Sequence, residues 1–275
     1  MKKTLIFIFT VLMIISDSVR AAPPEDGEAY AETYADTQSL GLAILREGTA
    51  FVPLRAFAAA LAPRYSVEWD AEKRTAWVRG ENMELSAEEG AEYITANGRY
   101  LWLDKPGFIA DGRMMLPVRT LAKAFGCQVS WDGANRRVLI DGRIRPIESG
   151  ESFYDEDDLY WLSRIIYSEA GGECLKGQVA VGCVVLNRMA EDYWPDSVYE
   201  VIFDRRCGVQ FAPTESGSIY RQPSDSALIA AKLALDGAET VGDSKFFFNA
   251  AVATSSWIAE NRDYVTTIGA HSFYA

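Results

Sequence analysis

The stretch Ile166-Tyr167-Ser168-Glu169-Ala170-Gly171-Gly172-Glu173, followed by Gly177-Gln178-Val179-Ala180-Val181 and Val184-Val185-Leu186-Asn187-Arg188, decides how the C-terminal half of the chain folds. Leu159, Leu162, Ile165, Ile166 and Ala170 recur at helical spacing, and Gly171-Gly172 stops the helix they define. From Leu175 to Met189 the chain is apolar almost without a break, which predicts the buried central helix of a domain. Glu169 then falls in the last turn of the first helix. There its carboxylate faces the negative end of the helix dipole, a misplacement of roughly 0.3–1 kcal/mol that favours the protonated form. A raised pKa is what a general acid requires, although on position alone a solvated surface glutamate is the commoner explanation.

Working downstream, Ser197 followed by Glu200 is a capping-box pattern opening a short helix through Phe203. Pro223-Ser224 opens another helix that ends before Gly237. Residues 245–248 and 264–267 read as strands, with His271–Tyr274 pairing back across a turn at Gly269.

Upstream, a repeat begins near residue 50. Phe51-Val52-Pro53-Leu54-Arg55 returns as Met115-Leu116-Pro117-Val118-Arg119, and Val67-Glu68-Trp69-Asp70 returns as Val129-Ser130-Trp131-Asp132. Each copy predicts a short strand ending in Pro, a helix, and a hairpin: residues 65–69 turning to 75–78 in the first, 128–131 turning to 137–140 in the second. Residues 93–95 and 101–103 look like further strands. The division that follows is a signal peptide at 1–21, a linker at 22–47, a duplicated α+β domain at 48–142, a linker at 143–156 and a catalytic domain at 157–275.

The signal peptide rests on Lys2 and Lys3, an apolar run from Leu5 to Ile15, and small residues near Ala21. That run is shorter than the about 20 apolar residues a membrane-spanning helix needs, so an exported, extracytoplasmic protein is expected. Across the 275 residues the net charge is -12, of which residues 151–275 hold -10 (9 Lys+Arg against 19 Asp+Glu) and residues 1–150 hold -2 (18 against 20). Nucleic acid is an unsuitable partner for so acidic a chain. Export would permit a disulfide among Cys174, Cys183 and Cys207, while Cys183 equally reads as a small core residue of an apolar helix.

The duplicated segment resembles the copper amine oxidase N-terminal stalk family, which implies a noncatalytic spacer or binding module. Copper chemistry needs several imidazoles, and His271 is the one histidine in the chain. The C-terminal segment resembles the cell wall hydrolase family of spore-cortex-lytic enzymes, of SleB and CwlJ type. The resemblance rests on the two helical motifs above, then Val201-Ile202-Phe203, Gln210-Phe211, Phe247-Phe248-Asn249, Ser256-Trp257 and Thr267-Ile268-Gly269-Ala270-His271-Ser272-Phe273. It implies a mainly helical, lysozyme- or transglycosylase-like domain with a small antiparallel sheet, hence α+β overall. It also implies that Glu169 is the catalytic residue, that no metal or other cofactor is needed, and that the partner is peptidoglycan or spore cortex glycan. Two departures from the family pattern lie near the expected cleft: Gly171, where the family often has Arg, and Cys207-Gly208-Val209.

Glycosidases ordinarily use two carboxylates. Here only Glu169 has a motif behind it, and Glu173, beyond the two glycines, reads as structural. One carboxylate suits lytic transglycosylation between N-acetylmuramic acid and N-acetylglucosamine. Gln210, Asn249 and His271 are expected to hydrogen-bond the sugars, and Phe211, Trp257 and Tyr264 to stack on them. The alternatives are a zinc-dependent N-acetylmuramoyl-L-alanine amidase, poorly supplied with ligands by one histidine, and a noncatalytic wall-binding regulator. The duplicated domain is expected to hold the wall or a protein partner.

Overall fold

The computed structural model describes residues 29–35, 38–142, 144–251 and 256–275. The signal peptide expected at 1–21 and the start of the 22–47 linker lie outside the described residues. Among the described residues, no helix is long and apolar enough to cross a membrane.

The N-terminal half runs β1 (Ala29–Ala35), β2 (Gln38–Arg46), β3 (Thr49–Pro53), α1 (Leu54–Leu61), β4 (Ser66–Asp70), β5 (Thr75–Gly80), β6 (Met83–Glu88), β7 (Tyr93–Ala96), β8 (Arg99–Trp102), β9 (Phe108–Ala110), β10 (Arg113–Pro117), α2 (Val118–Phe125), β11 (Val129–Asp132) and β12 (Arg137–Ile140). Seven strands form one sheet in the order β11-β12-β1-β2-β3-β10-β9, and five form a second in the order β4-β5-β6-β7-β8. One apolar core serves both sheets and both helices, with Phe57 and Phe125 meeting edge to face at 5.2 Å. Both helices begin directly after a proline whose extended backbone ends the preceding strand.

The repeat has a physical counterpart. β3 pairs antiparallel with β10 through Pro53↔Met115, Val52↔Leu116 and Phe51↔Pro117. Exchanging each residue for its repeat counterpart returns the same three pairs, so a local twofold passes through Val52 and Leu116. The two hairpins then part company, β4–β5 opening the five-stranded sheet and β11–β12 capping the seven-stranded one.

Two linker readings require correction. Within the 22–47 segment, residues 29–35 and 38–46 are strands, with β1 parallel to β12 and antiparallel to β2. The inward positions Ala31, Thr33 and Ala35 are buried, but two alanines and a threonine give period-two burial almost no hydrophobic contrast. The 143–156 segment is docked: Arg145 and Ile147 donate backbone hydrogen bonds to Phe125 and Ala124. Gly126, at φ +65°, makes this approach possible, because a Cβ there would lie 1.8 Å from the Arg145 carbonyl oxygen.

The C-terminal half begins with α3 (Gly150–Phe153) and continues α4 (Glu156–Ala170), α5 (Leu175–Met189), α6 (Val198–Phe203), α7 (Pro213–Ser216), a 3-10 turn (Ser218–Tyr220), α8 (Asp225–Leu235), β13 (Phe246–Asn249), α9 (Trp257–Asn261), β14 (Tyr264–Ile268) and β15 (His271–Tyr274). Both long helices of the opening motif are present, and α5 is buried along most of its length between α4 and α8. Asp155 caps α4 by accepting from the Asp157 and Asp158 amides. At α6 the capping box forms in part, since Ser197 Oγ accepts from the Glu200 amide and donates to its carboxylate. The small sheet has the order β13-β15-β14. All four cysteines are free, so the bridge expected among Cys174, Cys183 and Cys207 is absent. Cys183 is instead a core residue whose thiol contacts the Ala238 carbonyl at 3.0 Å.

The two halves are joined at Asp236, where α8 ends. Arg99 from β8 grips its carboxylate with two hydrogen bonds of 2.9 and 2.7 Å. Tyr154 donates to it at 3.0 Å while accepting from the Tyr100 amide.

Candidate active site

The last turn of α4, the end of α5, the 204–212 loop, β13, α9 and the start of β15 enclose a cleft of about 1030 Å³. Glu169 lines it. Its carboxylate is half-buried and makes no hydrogen bond to any described residue. Burial pushes its pKa up to about 7, against the opposing pull of the Arg188 guanidinium. Loss of water is the first cause of this rise.

Arg188 is the charged cleft residue that the sequence reading did not single out. It is buried at the end of α5, donates from Nε to the Lys245 carbonyl at 2.7 Å, and lies 3.5 Å from Gln210 Oε1. Its guanidinium stands 4.4 Å from the centre of the Trp194 ring. Burial lowers its pKa to about 10, with Asp204 and Glu169 pushing the other way. It is still a cation at neutral pH. The polar pair Asn187-Arg188 ending an otherwise apolar helix was the available signal; a helix end looks solvated in sequence and is covered here by β13 and its approach.

Five of the six residues expected to bind sugar line the same cleft as Glu169, namely Gln210, Phe211, Asn249, Trp257 and His271. Phe211 is only 2% exposed, so it forms the floor and offers no open ring face. Trp257 on α9 is half-exposed, with the Arg262 guanidinium 5.2 Å from its ring. Asn249 and His271 are cross-strand partners in β13 and β15. Tyr264 is not among the lining residues; it is 60% exposed on β14, with its hydroxyl 3.0 Å from Thr267 Oγ1.

Glu173, read as structural, also lines the cleft and ties its wall together. Its Oε2 accepts from the Ala270 amide at 3.2 Å, and its Oε1 lies 3.9 Å from His271 Nδ1. That nitrogen is buried without a hydrogen-bond partner among the described residues, and burial lowers the His271 pKa while Glu173 raises it. Gly269 adopts φ +58°, which favours glycine, and a Cβ there would push aside the Glu173 carboxylate. Among the described residues no group of three or more His, Cys, Asp or Glu side chains could hold a metal ion.

A carboxyl that is protonated near neutral pH, beside a fixed cation and within an aromatic-walled cleft, is equipped to deliver a proton to a bound polar polymer and take one back. The comparisons with known proteins agree with this class. Residues 172–274 match the Cell Wall Hydrolase family model and residues 36–140 match the Copper amine oxidase N-terminal domain model. Glu169 lies just ahead of the matched segment.

Among named relatives, the chain is 38% identical over 120 residues to the spore cortex-lytic enzyme of Oceanobacillus iheyensis, covering 44% of this chain and 42% of that one. It is 36% identical over 120 residues to the spore cortex-lytic enzyme of Bacillus subtilis, covering 44% and 38%. The chain thus spans about two fifths of the length of these relatives. The solved catalytic domain of the germination-specific lytic transglycosylase SleB from Bacillus anthracis is 34% identical, with a TM-score of 0.41, covering 47% of this chain and all of that one.

Proposed function

We propose that this chain is a lytic transglycosylase that cuts peptidoglycan glycan strands between N-acetylmuramic acid and N-acetylglucosamine, with Glu169 as its acid and base. The carrying observation is the carboxyl group itself: half-buried, free of hydrogen bonds to the described residues, raised to about 7, and set in a cleft of about 1030 Å³. Protonated Glu169 gives its proton to the glycosidic oxygen, and the bond from that oxygen to muramoyl C1 breaks. The resulting carboxylate, held beside Arg188, takes the proton of the muramoyl C6 hydroxyl as the C6 oxygen bonds to C1. A 1,6-anhydro ring and a free N-acetylglucosamine hydroxyl result, and Glu169 is protonated again. The cycle consumes no water.

Gln210, Asn249 and His271 supply hydrogen bonds to the N-acetyl and hydroxyl groups, and Trp257 a stacking face. The substrate class follows from the relatives' names, which point to spore cortex and germination. Export by a signal peptide at 1–21 places the chain on the same side of the membrane as that polymer.

The test is digestion of purified peptidoglycan and spore cortex by the mature chain and by Glu169→Gln, with products identified by mass spectrometry. Anhydromuramoyl ends, one water lighter than hydrolysis products, should appear with the parent and vanish with the variant. Reducing ends would require a water-activating base instead, and free stem peptides would make the enzyme an amidase.

A further inference from the structure

The duplicated domain carries two pockets, of about 560 and 250 Å³, and they are the same pocket built twice. In each, the residue after the strand-ending proline, the arginine that follows it, and the hairpin tryptophan come from one repeat copy: Val118, Arg119 and Trp131 in the larger, Leu54, Arg55 and Trp69 in the smaller. The opposite wall comes from the other copy, with Gly48, Thr49 and Ala50 in the larger answered by Gly112, Arg113 and Met114 in the smaller. Of the 11 residues lining the smaller pocket, 10 have their repeat counterparts lining the larger, so the pockets are products of the duplication and its local twofold rather than accidents of loop packing.

Both keep the features a ligand would use. Trp69 and Trp131 are 41% and 48% exposed on β4 and β11, each the edge strand of its sheet. Burying either indole against neighbouring apolar side chains would have been favourable, yet both copies hold it open. Arg55 and Arg119 are exposed in the first turn of α1 and α2, and neither guanidinium has a protein partner among the described residues. Other charges around the smaller pocket are matched: Glu68 pairs with Arg79, Arg74 with Glu89 and Arg113 with Asp111.

We propose that these twin pockets are glycan-binding sites, each seating a sugar of the peptidoglycan strand on its tryptophan face while its arginine binds the carboxylate of the attached lactyl or stem-peptide group. A flat apolar ring face meeting the C–H face of a pyranose, next to an unpaired cation, fits an acidic amino sugar better than a neutral polysaccharide or a protein strand. Two such sites on one domain hold a glycan network more tightly than either site alone. The identity of the polymer rests on the reading of the cleft given above.

The test uses the mature chain with Glu169→Gln, which holds the wall without digesting it, and co-sedimentation with purified peptidoglycan stripped of teichoic acids. Trp69→Ala and Trp131→Ala should each weaken retention by about fivefold, and the double variant by about 25-fold, while both Trp→Phe changes restore most of it. Circular dichroism of the variants checks that the domain stays folded. Retention unchanged in the folded double variant overturns the proposal, as does binding that appears only on wall still bearing teichoic acid. In parallel, the double variant carrying native Glu169 is assayed on short soluble glycan chains, where anhydromuramoyl products should be undiminished. If the parent makes no such products yet sediments through its tryptophans, the transglycosylase reading fails and the binding sites stand.

Discussion

Two carboxylates sit at the C-terminal ends of helices in the C-terminal half, and they have opposite surroundings. Asp236, its side chain buried at the end of α8, is held by two hydrogen bonds from Arg99, one from Tyr154, and the Lys123 ammonium at 3.0 Å. Glu169, in the last turn of α4, has no hydrogen bond to a described residue and faces one cation, Arg188. The same chemical group at the same kind of helix end is a fastener in one place and is left free to exchange a proton in the other. Partner number decides which, because a fully bonded carboxylate has no lone pair left for a substrate.

The largest effect that would test this contrast is on turnover. Glu169→Gln should lower glycan cleavage by about 10³-fold, near 4 kcal/mol of barrier, with the fold intact. Asp236→Ala should do the reverse. Leaving Arg99 and Tyr154 buried without their acceptor should cost about 3–5 kcal/mol in denaturant unfolding, while folded molecules retain normal cleavage. If Asp236→Ala abolished cleavage without loss of stability, the contrast would be wrong.

Stability against pH gives a smaller effect with a definite sign. The folded pKa of Glu169, about 7, lies above its ordinary 4.5, so the native state holds a proton that the unfolded chain has already released. The stability this contributes is complete below pH 4.5 and is lost as pH rises through 7. Glu169→Gln should therefore match the parent at pH 4 and exceed it at pH 8 by about 1–3 kcal/mol, as read from melting curves at the two pH values. Equal differences at both would mean that the carboxyl is solvated.

Arg188 opposes the rise that burial gives that titration. Its charge lowers the Glu169 pKa, so in Arg188→Met the acid stays protonated to higher pH and the alkaline limb of the pH–rate profile should move upward. Arg188→Lys should leave the limb near its parental position. A limb that stayed put in Arg188→Met would remove the cation from the mechanism.

How much of this was readable beforehand depended on which forces leave a periodic trace. α4 was plain because its apolar face recurs at helical spacing and glycines follow it, and α5 because its apolar run is almost unbroken over helical length. The repeat was plain because Pro, Arg and Trp-Asp recur in order. β1 was hidden because its inward residues are alanines and a threonine. The cleft was half visible: motif residues located Glu169, but the burial that raises its pKa is a property of β13 and the 204–212 loop closing over it, which no local window contains. The twin pockets were invisible for the same reason, since each combines one copy's hairpin with the other copy's strand.

The smallest effect concerns the two aromatic residues that sequence treated alike. Trp257 is half-exposed and lines the cleft, while Tyr264 projects from β14 outside it. Trp257→Ala should remove one stacked sugar, about 1 kcal/mol, and so raise KM about fivefold with little change in kcat, because that contact is present in both the bound state and the transition state. Tyr264→Ala should leave both constants within about twofold, since it loses only an exposed edge-to-face contact with Tyr274 and the Thr267 hydrogen bond. Measured on soluble glycan chains, which need only the cleft, the ratio of the two KM values isolates the stacking face from the wall-binding sites. A Tyr264 effect equal to that of Trp257 would mean that the strand leaves the cleft across β14, extending the binding surface beyond the residues around Glu169.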